Sequence, residues 1–274
     1  MTEMAERYDQ IAEGYARWWA PVLAPAVERL LDRAEPWLAR GAIRVVDIGT
    51  GTGQLGIGAV SRWRGISVVG VDASAEMQAM ADTLAQRSLG PARDRFRAEV
   101  AFADTLPFAD GAFDVALSSF VFQLVPNRAR ALREARRVLR PGGILAYVSW
   151  LQDDRAFTPD LLFDEALEEL DIPGRDFDGR SGDLPSVERA AHELRRAGFA
   201  GVTAEADLLE HRFSPDGYLG FLTEFDEEAL FEELDPVLRD RLLATMRQRL
   251  ARLSADELTM RFPIVFATGR RSAR

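Results

Sequence analysis

From residue 43 onward the chain alternates short apolar runs with amphipathic stretches, and the two periods interleave regularly. Runs of period two or near-continuous hydrophobicity predict strands over 43–48, 66–71, 96–102, 113–118 and 143–149. Between them, helical spacing predicts helices over 53–63, 74–88 and 127–139, the last stopped by Pro141-Gly142-Gly143. Strand, helix, strand repeated in this way implies a parallel sheet with right-handed crossovers, and runs such as VVDI and VVGV suit strands covered on both faces.

Upstream, an amphipathic helical segment runs from Tyr8 to about Trp37 and is expected to break near Pro21 and Pro25. Beyond Trp150 the regularity loosens. Helices are expected over 160–170 and 186–197, with Gly198 as the stop of the second, then a strand over 201–206. Helices over 218–225, 227–234 and 236–253 precede a last strand, 261–268. No internal repeat or low-complexity linker demands a second independent domain, so 151–185 and 207–260 read as insertions into one fold.

Composition narrows the chemistry. With 274 residues, 47% of them hydrophobic, the chain can bury a sizeable core. It has no cysteine and no lysine, so all 34 positive side chains are arginine, and thiolate, Schiff-base and P-loop lysine chemistry are excluded. Two histidines, His192 and His211, are too few for a histidine-rich metal site, and no metal is expected. A cofactor is therefore expected to carry the reactivity.

The net charge of −10 is unevenly spread: residues 151–235 hold 24 acids and 7 arginines, a local −17 that leaves the rest of the chain at +7. That surface repels polyphosphates, so no nucleic-acid partner is expected. A solvated acidic face is the plainer reading of the excess, and a site that attracts cations is the other. No apolar stretch approaches the roughly 20 residues needed to span a bilayer, and the first residues lack a signal-peptide pattern, so no membrane span and a cytoplasmic location are expected.

The chemistry concentrates in Asp47-Ile-Gly-Thr-Gly-Thr-Gly53, at the first strand-to-helix turn. Its glycines let the chain turn sharply and a ligand approach, while the helix N-terminus offers free N–H groups. Gly51-Thr-Gly-Gln-Leu-Gly56 also satisfies the dinucleotide fingerprint, which keeps an NAD(P)-linked oxidoreductase in view. Asp47 argues against it, because a carboxylate before the first glycine faces a pyrophosphate unfavourably but can accept from an ammonium. Asp72 ends the second strand, where an acid can accept both ribose hydroxyls; Asp104 follows the third, within reach of an adenine amine. Three acids at the ends of adjacent strands would ring one adenosine-containing ligand.

Four blocks in order, VVDIGTGTG, VVGVDAS with Met77, ADTLPFADGAFDVALSS and ALREARRVLRPGGILAYVSW, resemble the class I S-adenosylmethionine-dependent methyltransferases. The branch they are most similar to is that of ubiquinone/menaquinone biosynthesis, in which Tyr8-Asp-Gln-Ile-Ala-Glu-Gly-Tyr15 looks like the segment closing over the cofactor. The resemblance implies a Rossmann-like α/β fold: seven strands, mostly parallel, helices on both faces, the last strand antiparallel, and helical insertions forming a lid. In that scheme 1–40 is an N-terminal helical cap, 41–150 the cofactor-binding core, and 151–185 with 207–260 the substrate side.

It further implies that Asp47, Gly49, Thr50 and Gly51 hold the methionine part of S-adenosyl-L-methionine. Asp72 would bind the ribose, with Ala73 and Met77 beside the adenine and Asp104 and Thr105 contacting it. Ser119 and Phe120 would lie by the amino group or sulfonium. The implied reaction is in-line transfer of a methyl to a small, apolar or aromatic acceptor, leaving S-adenosyl-L-homocysteine. A cofactor-binding protein that no longer transfers methyl, or that uses the scaffold for regulation or another reaction, is the alternative. Tyr8, Trp18, Trp150 and Phe221 are expected to line the acceptor pocket. His211, expected just after the sixth strand, is the candidate base, with Tyr15 and Gln123 as polar contacts to the acceptor. His192 falls off the apolar face of its helix and reads as surface.

Overall fold

A computed structural model describes residues 3–41, 43–174 and 182–272; residues 175–181 of the expected first insertion lie outside the described residues. Seven strands form one sheet: β1 Ile43–Ile48, β2 Ile66–Asp72, β3 Phe96–Val100, β4 Phe113–Ser119, β5 Leu139–Trp150, β6 Phe199–Arg212 and β7 Thr259–Arg271. Their order is β3-β2-β1-β4-β5-β7-β6, with β1 paired in parallel to both β2 and β4 and β7 antiparallel to both neighbours. The chain reverses direction across the sheet between β1 and β4, which opens a crevice at the carboxyl ends of those strands.

Each face of the sheet buries its own cluster. Val45, Val68, Val115 and Ala146 face the helices Ala20–Leu38 and Gln54–Arg62, while Val46, Val69, Ala116 and Leu145 face Arg128–Val138 and Val187–Arg196. Near-continuous burial of β1, β2 and β4 accounts for their apolar runs. A third cluster unites the insertion helices Thr158–Glu169, Pro215–Phe221 and Pro236–Leu250 with the N-terminal segment. Among the described residues no helix is long and apolar enough to cross a membrane.

Several boundaries differ from the sequence reading. β5 begins at Leu139, because Pro141-Gly142-Gly143 is taken into the strand across an irregularity in its pairing between Phe113 and Val115. β6 extends to Arg212 rather than ending near 206; as an edge strand it is largely exposed, so its apolar alternation is weak, and pairing with β7 defines its length. The N-terminal segment does not break at Pro21 or Pro25. Pro21 sits in the first turn of Ala20–Leu38, where its missing N–H costs nothing, and Pro25 and Pro36 are carried within the helix. The breaks fall upstream, at Ile11 and in a π-helical turn over Tyr15–Trp19.

Candidate functional site

Two adjoining cavities lie at the carboxyl edge of the sheet. The first, of about 180 Å³, is walled by the glycine turn (Gly49, Gly51), by Asp72, Ala73 and Met77 after β2, by Asp104, and by Ser119 and Phe120 after β4. The second, of about 270 Å³, is walled by Trp19, Phe120, Trp150, Phe221 and Phe225 among others, with Gln123, Asp160 and Asp226 as polar groups. Tyr8, Tyr15, Phe120 and Leu124 border both.

The turn holds its shape through left-handed glycines: Gly49, Gly51 and Gly53 have φ of 71°, 52° and 88°. A methyl group on Gly49 would stand 2.1 Å from a Val121 methyl, so the backbone must be bare there. Asp72 Oδ2 accepts from Gly51 N at 2.8 Å and Oδ1 from Ser74 N at 3.0 Å, which fixes its carboxylate on the cavity wall. Each oxygen retains accepting capacity for a ligand hydroxyl. Burial raises the Asp72 pKa, opposed by these backbone bonds.

The N-terminal segment closes the first cavity from above. Asp9 Oδ1 accepts from Ser74 Oγ at 2.5 Å and from Glu76 N at 3.2 Å, pinning that segment to the helix after β2. The rings of Tyr8 and Tyr15 meet edge to face at 5.9 Å. Burial pushes the Tyr8 hydroxyl up to about 12 and that of Tyr15 higher still, so both are neutral donors. Phe120 has φ of 56°, strained for a side chain of its size, and the strain sets its ring 4.2 Å from that of Trp150.

Four expected site residues stand elsewhere. Asp47 does not line either cavity: it is fully buried beneath the turn, where Oδ2 accepts from Thr50 Oγ1 at 2.8 Å and from Gly56 N at 3.0 Å. Thr50 is spent on that bond and is absent from the cavity wall as well. The Thr105 hydroxyl accepts from Arg130 at 3.0 Å, outside the cavity. Trp18 turns away, its Nε1 donating to Glu224 at 2.7 Å.

His211, the expected loop base, lies inside β6 opposite Met260, half-buried against Phe213, and borders neither cavity. Burial lowers its pKa. His192 is exposed on its helix. Gln123 does reach the second cavity, where its Oε1 accepts from Ser149 Oγ at 2.8 Å. The sequence reading missed Asp226, Asp160, Val121 and Leu124; the first two sit in an acid-rich stretch that carries no apolar signal of a cavity.

Asp47 yields a pH prediction. Desolvation, only partly offset by Thr50 and Gly56, raises its pKa from 3.8 to about 7, and its Oδ1 is buried without a partner among the described residues. The folded state therefore binds a proton that the unfolded state releases. This group's contribution is greatest below the unfolded pKa and falls, by about 4 kcal/mol at most, as pH rises to the folded value. Asp47→Asn keeps an acceptor for Thr50 and Gly56 without the charge. Calorimetric melting across the range from about pH 4 to about pH 8 should show the wild type losing stability that the variant keeps; parallel profiles would refute it.

The donor-side residues fit S-adenosylmethionine on the structure's own terms. Bare glycine backbone borders a cavity edged by two carboxylates, and Ser119 Oγ is buried at its wall with no partner among the described residues. Comparison with known proteins agrees. Residues 46–147 match the family described as a methyltransferase domain. A malonyl-[acyl-carrier protein] O-methyltransferase of Geobacter sulfurreducens is 33% identical over 201 residues, covering 72% of this chain and 70% of the relative. A ubiquinone/menaquinone biosynthesis C-methyltransferase of Geobacter sp. strain M21 is 38% identical over 104 residues, covering 38% of this chain and 43% of the relative.

Among solved structures, the [4+2]-cyclase SpnF has a TM-score of 0.66 at 20% identity, covering 99% of this chain and 96% of that one. A phosphoethanolamine N-methyltransferase of Haemonchus contortus, solved with S-adenosylhomocysteine, has a TM-score of 0.58 at 18% identity, covering 99% and 61%. These two likenesses speak for the fold, and the longer sequence match speaks for descent. The chain belongs to the class I S-adenosylmethionine-dependent methyltransferases, and S-adenosylmethionine is its cofactor.

Proposed function

We propose that this protein methylates a small apolar or aromatic molecule bound in the second cavity. The observation that carries the reading is the junction of the two cavities at Tyr8, Tyr15, Phe120 and Leu124, which sets a cofactor chamber beside an aromatic-walled one. When bound, S-adenosylmethionine supplies a methyl group on a positively charged sulfur.

The chain's own residues supply position and dryness. In this reading Gly49 and Gly51 admit the methionine part, Asp72 accepts from the ribose, Asp104 and Met77 flank the adenine, and Ser119 faces the amino-acid end. Asp47 and Thr50 act beneath, keeping the turn in shape. Tyr8 and Tyr15 exclude water from above, and Phe120 with Trp150 forms the floor of the acceptor chamber.

Trp150 tests the reading. It lines the acceptor cavity alone and meets Trp19, Phe120 and Phe262 with ring centroids 4.2 to 6.1 Å away. Trp150→Ala should lower kcat/KM at least about tenfold, the scale of one lost aromatic wall, across phenols, catechols and aromatic amines assayed by S-adenosylhomocysteine release. Calorimetric affinity for S-adenosylmethionine should stay within about twofold. An equal fall in both would count against separate chambers. Phe120→Ala is the contrasting case: its ring borders both cavities, so both quantities should fall.

A further inference from the structure

The second cavity has a polarity its aromatic walls do not explain. Asp226 and Asp160 both border it, and no arginine, the only strongly basic residue type in this chain, is among its lining residues. Asp160 Oδ1 accepts from the Tyr218 hydroxyl at 2.6 Å, which leaves that carboxylate oriented by a neutral donor. Asp226 makes no hydrogen bond or ion pair with another described residue. Asp226 is an exposed residue that lines the cavity, in dense protein surroundings.

Desolvation, reinforced by Glu227 and Asp160 and opposed by Arg7, raises its pKa to about 7. The charged groups around it are thus Arg7 from the N-terminal helix, Asp160 from Thr158–Glu169, and Glu227 next in sequence; the neutral Tyr218 hydroxyl adds no charge. Rings surround the same space: Trp19 lies 5.4 Å from Phe221, 5.8 Å from Phe225 and 6.1 Å from Trp150, centroid to centroid.

Aromatic walls edged by the Asp226 and Asp160 carboxylates, with no arginine among the lining residues, suit one ligand class. Ring quadrupoles attract cations, and an apolar chamber strengthens the pull of a carboxylate on an ammonium. A carboxylate or phosphate acceptor would meet two carboxylates and no lining arginine there, and a neutral one would draw no charge attraction from either.

We propose that the acceptor cavity takes a cationic amine on an apolar or aromatic skeleton, its ammonium neutralised by Asp226 beside Asp160 and enclosed by Trp19, Phe221 and Phe225. This rests on the methyltransferase reading and names its substrate class. An ammonium has no free electron pair, so Asp226 also takes its proton: the N–H bond breaks, an O–H bond forms on the carboxylate, and the nitrogen keeps the pair. The acid-rich segment from 151 to 235 then has a use beyond solvation, since Asp160 and Asp226 both belong to it.

Tryptophan fluorescence tests this directly, because Trp19 and Trp150 line the cavity. The probes are 2-phenylethylamine, trimethyl(2-phenylethyl)ammonium, 2-phenylethanol and phenylacetate. Both cations should bind at least about tenfold more tightly than the alcohol, with phenylacetate weakest. Asp226→Asn should lower cation affinity about tenfold while leaving affinity for the alcohol and for S-adenosylmethionine unchanged; Asp160→Asn should act in the same direction.

For the fixed-charge trimethyl probe, affinity should fall as pH is lowered from about 8 to about 6, because Asp226 gains a proton, while the alcohol's should not. Equal binding of alcohol and ammonium by the wild type, or cation affinity unchanged in Asp226→Asn, would overturn the proposal. If S-adenosylmethionine binds and the cations do not, only the amine assignment falls; if it too fails to bind, the methyltransferase reading falls with it.

Discussion

Asp72→Ala should lower affinity for S-adenosylmethionine by at least about a hundredfold, some 3 kcal/mol, the scale of two charge-assisted hydrogen bonds to ribose hydroxyls. Two losses combine. The carboxylate is removed from the wall of the first cavity, and the turn loses the acceptor of Gly51 N, so the bare glycine backbone at that wall is less firmly held. Asp72→Asn separates them. The amide keeps one oxygen for Gly51 N but gives up the bond from Ser74 N along with the charge, so the turn should be held better than in the Ala variant, giving an intermediate affinity. Calorimetry with S-adenosylmethionine and S-adenosylhomocysteine should rank wild type, Asn and Ala in that order, with secondary structure unchanged by circular dichroism. Wild-type affinity in the Ala variant would remove Asp72 from the site.

The same residues show what was legible in the sequence. Apolar runs gave β1, β2 and β4 because both faces of those strands are buried, so no competing pattern blurs them. Asp72 and Asp104 could be placed because the end of a parallel strand is itself a position on the cavity edge. Orientation was less accessible. Asp47 lies where the spacing puts it, but the nearby Thr50 hydroxyl and Gly56 N–H compete for its carboxylate, and a sequence does not reveal which donor wins.

Phase misled in the N-terminal segment. The turn over Tyr15–Trp19 is π-helical, with more residues per turn than an α-helix, so Trp19 faces the second cavity and Trp18 faces Glu224. His211 was misplaced because an exposed edge strand gives no apolar signal for its end. Asp226, amid Glu224, Glu227 and Glu228, reads as one more solvated acid; only the fold folds that stretch back over the rings.

Gly14→Ala should disable both chambers at once. Gly14 has an ordinary helical φ of −61°, so its backbone does not require glycine; the space does. A methyl group there would sit 1.5 Å from the Glu224 carbonyl oxygen and 2.7 Å from its carbon, and backbone atoms cannot rotate aside as a side chain could. The N-terminal segment must then lift from the turn over Leu222–Asp226, taking Tyr8 and Tyr15 from the walls of both cavities. Affinity for S-adenosylmethionine and for the amine probes should fall together, each at least about tenfold. Trypsin should cleave faster at Arg7 and Arg17, which lie on the displaced segment. Gly174→Ala, which adds a methyl group to open space, should change none of these. Wild-type protease resistance with wild-type affinities in Gly14→Ala would mean that the segment does not govern closure. Because Asp72→Ala should weaken the donor and spare the amine probes, the pair of variants separates the chemistry of the cofactor wall from the closure that both ligands require.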